Sequence, residues 1–195
     1  MKEKLKQLTP YYGLFDYWKE KVQDLKHLDD NFDVLDLDDT LFATIDRRES
    51  DEIFQINRGK QGNLLIVNEL GLQEVINKYY KNKLYPKNII SKVNKNNSLI
   101  LTAGIREYQE EKIEKMGIHN FNMLVTNNAE EKIIALIRYV IFDLKYIPKT
   151  ITVYEDRPEF FLEYRDLLED ILGTKIVINK VIMSCNNKEP EIIRL

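Results

Sequence analysis

Leu14, Tyr17, Trp18, Val22 and Leu25 recur at the spacing of one helical face. This predicts a leading amphipathic helix over about residues 12–27, within an N-terminal segment 1–31. Polar Asp29, Asp30 and Asn31 are expected to break it, and Phe32-Asp-Val-Leu35 reads as a short strand. From residue 98 onward the rhythm is regular. Ser98–Leu101, Asn122–Val125, Thr150–Tyr154 and Lys175–Ile178 have the length and composition of buried strands, the last at a sheet edge. Helical patterns separate them. One runs from Glu107 to Met116 and stops at Gly117; a long one runs from about Ala129 to Lys145. Pro158 opens another, whose Phe160, Tyr164, Leu167, Leu168 and Ile171 share a face before Gly173 ends it. Asn127 and Asn128 precede Glu130 and Glu131 by three residues, a helix N-terminus pattern.

The stretch 43–97 is less regular. Ile53–Ile56 and Leu64–Val67 flank Asn57-Arg-Gly-Lys-Gln-Gly-Asn63, which predicts a hairpin with a glycine-containing loop. A helix is expected from about Leu72 to Lys81, with Pro86 preventing any continuation. Strands alternating with helices imply an α/β fold: a Rossmann-like, three-layer α/β/α domain spanning 1–195. Its parallel sheet has about five strands, with a small hairpin flap and no large cap.

Composition excludes several alternatives. Apolar residues make up 44% and charged residues 31%, with a net charge of −3. No global positive field draws the surface onto nucleic acid. One cysteine, Cys185, rules out an intramolecular disulfide, and no apolar run approaches a membrane span. The first ten residues lack the apolar core of a secretory signal, so a cytoplasmic location is expected.

In parallel sheets ligands gather beyond the carboxyl ends of the strands. The residues expected there are Asp36, Asp38 and Asp39, then Thr102 and Gly104, then Lys132 on a helix start, then Glu155 and Asp156. Clustered acids repel unless a cation sits among them. All-oxygen ligands few in number, completed by water and substrate oxygens, favour Mg2+. Thr102 adds a hydroxyl donor and Lys132 a point charge near a helix N-terminus, which suits a phosphate dianion. A carboxylate beside that phosphate can attack it, and a second carboxylate two residues later can protonate the leaving oxygen and then activate water.

These residues resemble the four-motif signature of the haloacid dehalogenase-like (HAD) superfamily, over Phe32 to Tyr164. Asp36-Leu-Asp38-Asp39-Thr40 looks like its D-x-D-x-T motif, Thr102 its second, Lys132 its third, and Glu155-Asp156 its acidic fourth. The resemblance implies a magnesium-dependent phosphomonoester hydrolase with Asp36 as nucleophile. Asp38 would be the general acid/base, with its backbone carbonyl on the metal. Thr102 and Lys132 would complete the catalytic set, and Asp156 would be a direct metal ligand, with Glu155 direct or through water. Val153-Tyr-Glu-Asp-Arg157 is also similar to the Tyr-x-Asp-Arg segment of HAD domains called Swiss Army Knife RNA repair-like, although those tend to carry Thr-Gly-Arg where this chain has Thr102-Ala-Gly104. By family analogy a capless enzyme accepts bulky substrates, and a flap would bring Arg47, Arg48, Arg58 or Lys60 near the entrance.

The substrate is therefore expected to be phosphorylated, either a small molecule or a nucleic-acid end. No acid occurs between Val75 and Ile105, while Lys78, Lys81, Lys83, Lys87, Lys92 and Lys95 interleave with Tyr79, Tyr80 and Tyr85. Such a stretch suits single-stranded nucleic acid or, in a Lys-, Asn- and Ile-rich chain, a solvated face. Phosphotransfer to an alcohol and a non-catalytic binding module stand as further alternatives. The aspartates can instead cap a turn, Lys132 can be a surface lysine, and Arg157 can hold phosphate or pair with Glu155 or a neighbouring helix. Cys185, His27 and His119 carry no expected role.

Overall fold

A computed structural model describes residues 10–41, 52, 59–79, 87–183 and 189–195. The first helix, α1, spans Tyr12–Gln23, and β1 spans Lys26–Leu35. Two further helices follow, α2 (Gly59–Leu70) and α3 (Leu72–Tyr79), then a single turn, α4 (Lys87–Ile90). The second half alternates: β2 (Ser98–Ala103), α5 (Arg106–Met116), β3 (Asn122–Thr126), α6 (Glu131–Arg138), β4 (Tyr146–Glu155), α7 (Glu159–Glu163), α8 (Arg165–Leu172), β5 (Lys175–Ile182) and β6 (Glu191–Arg194).

The strands form one sheet in the order β3-β2-β1-β4-β5-β6. All neighbours pair in parallel except β6, which runs antiparallel to β5. The chain winds outward from β1 through β2 to β3, then returns to lay β4 on the other flank of β1. The order thus reverses between β1 and β4, the position where open α/β sheets form their ligand crevice.

Alternating residues divide the sheet into two cores, as the two-residue side-chain period requires. Phe32, Val34, Leu99, Leu101, Ile151, Val153, Ile176 and Ile178 pack under α1, α6 and α8. Leu35 and Ile100 face the opposite way, against Ile66, Val75, Ile76, Ile89 and Tyr108 from α2, α3, α4 and α5. Helices on both faces make the three-layer α/β/α arrangement expected from the sequence. Among the described residues no helix is long and apolar enough to cross a membrane.

The structure corrects four local expectations. Leu64–Val67 is not a strand of a hairpin flap; it lies inside α2, as does Gly59–Asn63 of the expected loop. Burial there follows helical spacing. Ile66 is 1% exposed, Val67 and Leu70 pack against the same core, and Leu65 is 58% exposed. The other expected strand, Ile53–Ile56, and Arg47, Arg48 and Arg58 lie outside the described residues, as does Cys185. The leading helix stops at Gln23 rather than at about residue 27, and Asp29–Asn31 belong to β1. Pairing with β4 extends the strand over this polar run, with a register shift between Leu28 and Asn31. Leu14 and Tyr17, counted on the buried face of α1, are exposed, while Trp18 and Val22 carry its packing. Finally, β5 is not an edge strand, because β6 covers it.

Other local features match the pattern closely. Gly117 and Gly173 take left-handed φ values of 68° and 63°, closing α5 and α8. The helix opened by Pro158 is divided at Tyr164, where φ is −106° and ψ 13°. The long helix from the Ala129 region is α6 continued by a π-helical turn over Tyr139–Leu144, with Lys145 left-handed at its end.

Candidate functional site

The site is assembled at the carboxyl ends of β1, β2 and β4 and at the start of α6. Leu35 is the last residue of β1, and the Asp36 amide still donates to the Tyr154 carbonyl of β4 at 2.9 Å. That bond carries the strand pairing one residue beyond β1 and fixes Asp36 beside Glu155. The turn then tightens through Asp39, whose φ of +59° places it in the left-handed region. Leu35 and Leu37 are fully buried in the second core, and Asp36 between them turns to the other face, toward Lys132 of α6, while Asp38 turns back toward α5.

Lys132 reaches the same point from α6. Its helix begins where the Asn128 side-chain oxygen accepts from the Glu131 amide at 2.9 Å, while Glu131 accepts in return from both asparagine side chains. Lys132 is 4% exposed. Its Nζ donates to Asp36 Oδ1 and to Glu155 Oε2, each at 2.7 Å. Burial by itself would weaken the ammonium, but the charges of Asp36 and Glu155 outweigh it and raise the Lys132 pKa. The surface-lysine alternative is thereby excluded.

Asp36, Glu155 and Asp156 converge: one carboxylate oxygen from each lies within 4.8 Å of the others. Burial, then the Asp36 charge, raise Glu155 well above the ordinary carboxylate range, with Lys132 opposing. Burial and Asp36 push Asp156 up to about 6, with Arg157 opposing. Three acids thus meet one buried lysine, leaving excess negative charge. Asp156 Oδ1 is buried and has no hydrogen-bond partner. A buried carboxylate oxygen left without a donor, beside two further carboxylates, is a chemically suitable position for a hard divalent cation. Arg157 lies at the rim, 3.5 Å from Asp156 Oδ2 rather than paired to Glu155.

Asp38 and Thr102 form a second, connected group. The Asp38 carboxylate accepts from Lys112 Nζ at 2.7 and 2.9 Å and from Gln109 Nε2 at 3.1 Å. Gln109 Nε2 also approaches Thr102 Oγ1 at 3.2 Å and the Ala103 carbonyl at 3.0 Å. Gly104 makes room for this: a Cβ there would lie 2.9 Å from Gln109 Nε2, on a residue whose φ is +152°. The Asp38 carboxylate is therefore not among the three convergent oxygens.

Gln109 and Lys112 were not expected from the sequence. They stand three apart on α5, between Tyr108 and Met116, in a helix with charged residues all around it. Only their burial separates them from the solvated charges of the same helix. A weak signal existed: spacing of three places both on the buried face beside Tyr108.

The lysine–tyrosine stretch is divided by the fold. Tyr79 is buried in the second core with Lys78 4.8 Å from its ring, so it offers no open stacking face. Tyr80, Lys81, Lys83 and Tyr85 lie outside the described residues. No family model, curated protein or solved structure matches the chain.

Proposed function

We propose that this chain is a magnesium-dependent phosphomonoester hydrolase of the HAD type, acting through an aspartyl-phosphate on Asp36. The supporting observation is the convergence of Asp36, Lys132, Glu155 and Asp156 at the strand-order reversal. Asp36, Asp156 and the Asp38 backbone carbonyl, with Glu155 direct or through water, would hold the cation. Bound there, it would neutralise charge on the phosphoryl oxygens.

In this reading the chain's own residues divide the work. An Asp36 carboxylate oxygen attacks phosphorus as the bond to the leaving oxygen breaks, and the Asp38 carboxyl proton passes to that oxygen. Asp38, now a carboxylate, takes a proton from water as the water oxygen attacks phosphorus and the bond to Asp36 breaks. Inorganic phosphate leaves and both aspartates return to their starting forms. Lys132 keeps Asp36 oriented and balances charge on the phosphoryl group, and Thr102 offers it a hydroxyl. A cytoplasmic location belongs to the same reading, resting on the single cysteine and the lack of a membrane-spanning helix among the described residues.

The test is a phosphate-release screen over sugar phosphates, nucleotides and phosphorylated oligonucleotide ends, with and without Mg2+. Wild type should release phosphate only with the cation, and Asp36→Asn should lose at least about a thousandfold. Equal turnover by both proteins would remove Asp36 as nucleophile. An added alcohol that competes with water would move the reading to phosphotransfer. Release from oligonucleotide ends alone would assign the substrate to nucleic acid.

A further inference from the structure

We propose that Lys112 and Gln109 are positioning residues that fix the Asp38 carboxylate for proton transfer, an inference that rests on the acid/base reading of Asp38. Three hydrogen bonds hold that carboxylate from behind, two from Lys112 and one from Gln109. The Lys112 side chain is 1% exposed and that of Asp38 20%, so the carboxylate stands on the open side of its clamp.

The arrangement costs stability to build. A buried ammonium or amide is tolerated only when paired, and apolar residues of similar volume often serve a core as well or better. Yet α5 buries Gln109 and Lys112 between Tyr108 and Met116, with Lys112 Nζ 4.3 Å from the centre of the Tyr108 ring. What the two polar groups determine that apolar ones would not is where Asp38 points. Gln109 adds a second constraint, because its Nε2 also meets Thr102 Oγ1 and the Ala103 carbonyl. The acid/base residue after β1 is thereby tied to the phosphate-facing hydroxyl at the end of β2.

Proton transfer requires the donor within hydrogen-bond reach of the leaving oxygen, and misplacement by about 1 Å costs about a hundredfold in rate. Loss of the clamp should therefore harm substrates in proportion to their need for a proton. A nitrophenolate leaves without one; an alkoxide does not.

The experiment compares kcat/KM, which reports the first chemical step, for p-nitrophenyl phosphate and an alkyl phosphate. The proteins are wild type, Lys112→Met, Gln109→Leu and Asp38→Asn, with Lys112→Arg as the charge-retaining variant. Lys112→Met should lose about a hundredfold on the alkyl ester and far less on the aryl ester, matching the Asp38→Asn pattern, with partial recovery in Lys112→Arg. Gln109→Leu keeps the ion pair and should show the same trend more weakly, which secures the test if Lys112→Met folds poorly. Equal losses on both esters would reduce the pair to structural support and overturn the proposal. Melting temperatures provide a readout independent of turnover: Lys112→Met and Asp38→Asn should be non-additive in the double variant. Additive effects would show that no clamp exists. Non-additive melting in a protein that hydrolyses no ester would instead fail the phosphatase reading, and the positioning role with it.

Discussion

Lys132 Nζ donates to Asp36 Oδ1 at 2.7 Å, joining residues 96 positions apart in the chain. The same nitrogen binds Glu155, so one ammonium spans the ends of two neighbouring parallel strands at the point where strand order reverses. Every group in this bridge is almost wholly buried. Removing its centre leaves two buried carboxylates facing each other. Lys132→Met should therefore destabilise the fold by about 3–5 kcal/mol at neutral pH. The loss should shrink at acid pH, where Glu155, held above the ordinary carboxylate range by burial, is protonated rather than charged. Urea denaturation at two pH values measures both.

The acids of the site are expected to make stability depend on pH and on added divalent cations. The folded-state pKa of Asp156 is raised from 3.8 to about 6, and that of Glu155 is raised as well. Asp33, in β1, is also pushed to about 6 by burial. The folded protein thus holds more protons than the unfolded chain between about pH 4 and 6. The stabilisation is fully present below the unfolded pKa and is lost as pH rises through about 6. Cation-free protein should melt at a lower temperature at pH 7.5 than at pH 5. Added Mg2+ should raise the melting temperature more at pH 7.5, because the proposed site would bind it through ionised carboxylates. A cation effect independent of pH would contradict the site described here.

Gly104 should not tolerate a side chain. A Cβ there would press on Gln109 Nε2 at 2.9 Å, from a backbone with φ of +152° that alanine rarely adopts. Gly104→Ala should cost about 1–3 kcal/mol and loosen Gln109 from Thr102 and Asp38. Calorimetry measures the first effect, and, on the proposed function, hydrolysis of an alkyl phosphate measures the second. Gln109→Ala in the same chain should remove the contact but leave the backbone strain, so part of the cost should remain.

The helical identity of Gly59–Leu70 is testable by two neighbouring substitutions. Ile66→Ala should cost about 2–5 kcal/mol because the side chain is enclosed in the second core. Leu65→Lys should change stability by no more than about 0.5 kcal/mol, since the residue is largely exposed. Chemical denaturation of both variants would separate this arrangement from a flap in which both residues pack.

Much of this was legible in the residue order. Val34-Leu35 before Asp36, and Thr152-Val153-Tyr154 before Glu155, carry their own strand signal, and the chemistry-bearing residues follow at once. Where each strand ends, which helices Gly117 and Gly173 close, and the asparagine-rich start of α6 are local matters of dihedral preference and hydrogen bonding. Such preferences act between near neighbours, so the sequence alone determined the α/β class and the order of Asp36, Asp38, Thr102, Lys132, Glu155 and Asp156.

Tertiary structure decided the rest. Whether Leu64–Val67 became strand or helix depended on which of its side chains found a core, since a short apolar run satisfies either period. The extension of β1 through Asp29–Asn31 came from pairing with β4, and the cover over β5 from β6. Gln109 and Lys112 look like ordinary surface residues of a charged helix until packing turns them toward Asp38. Burial is what converts a carboxylate or an ammonium from a solvated charge into one that must find a partner, and burial is a property of the assembled sheet and its helices, not of any stretch of the chain.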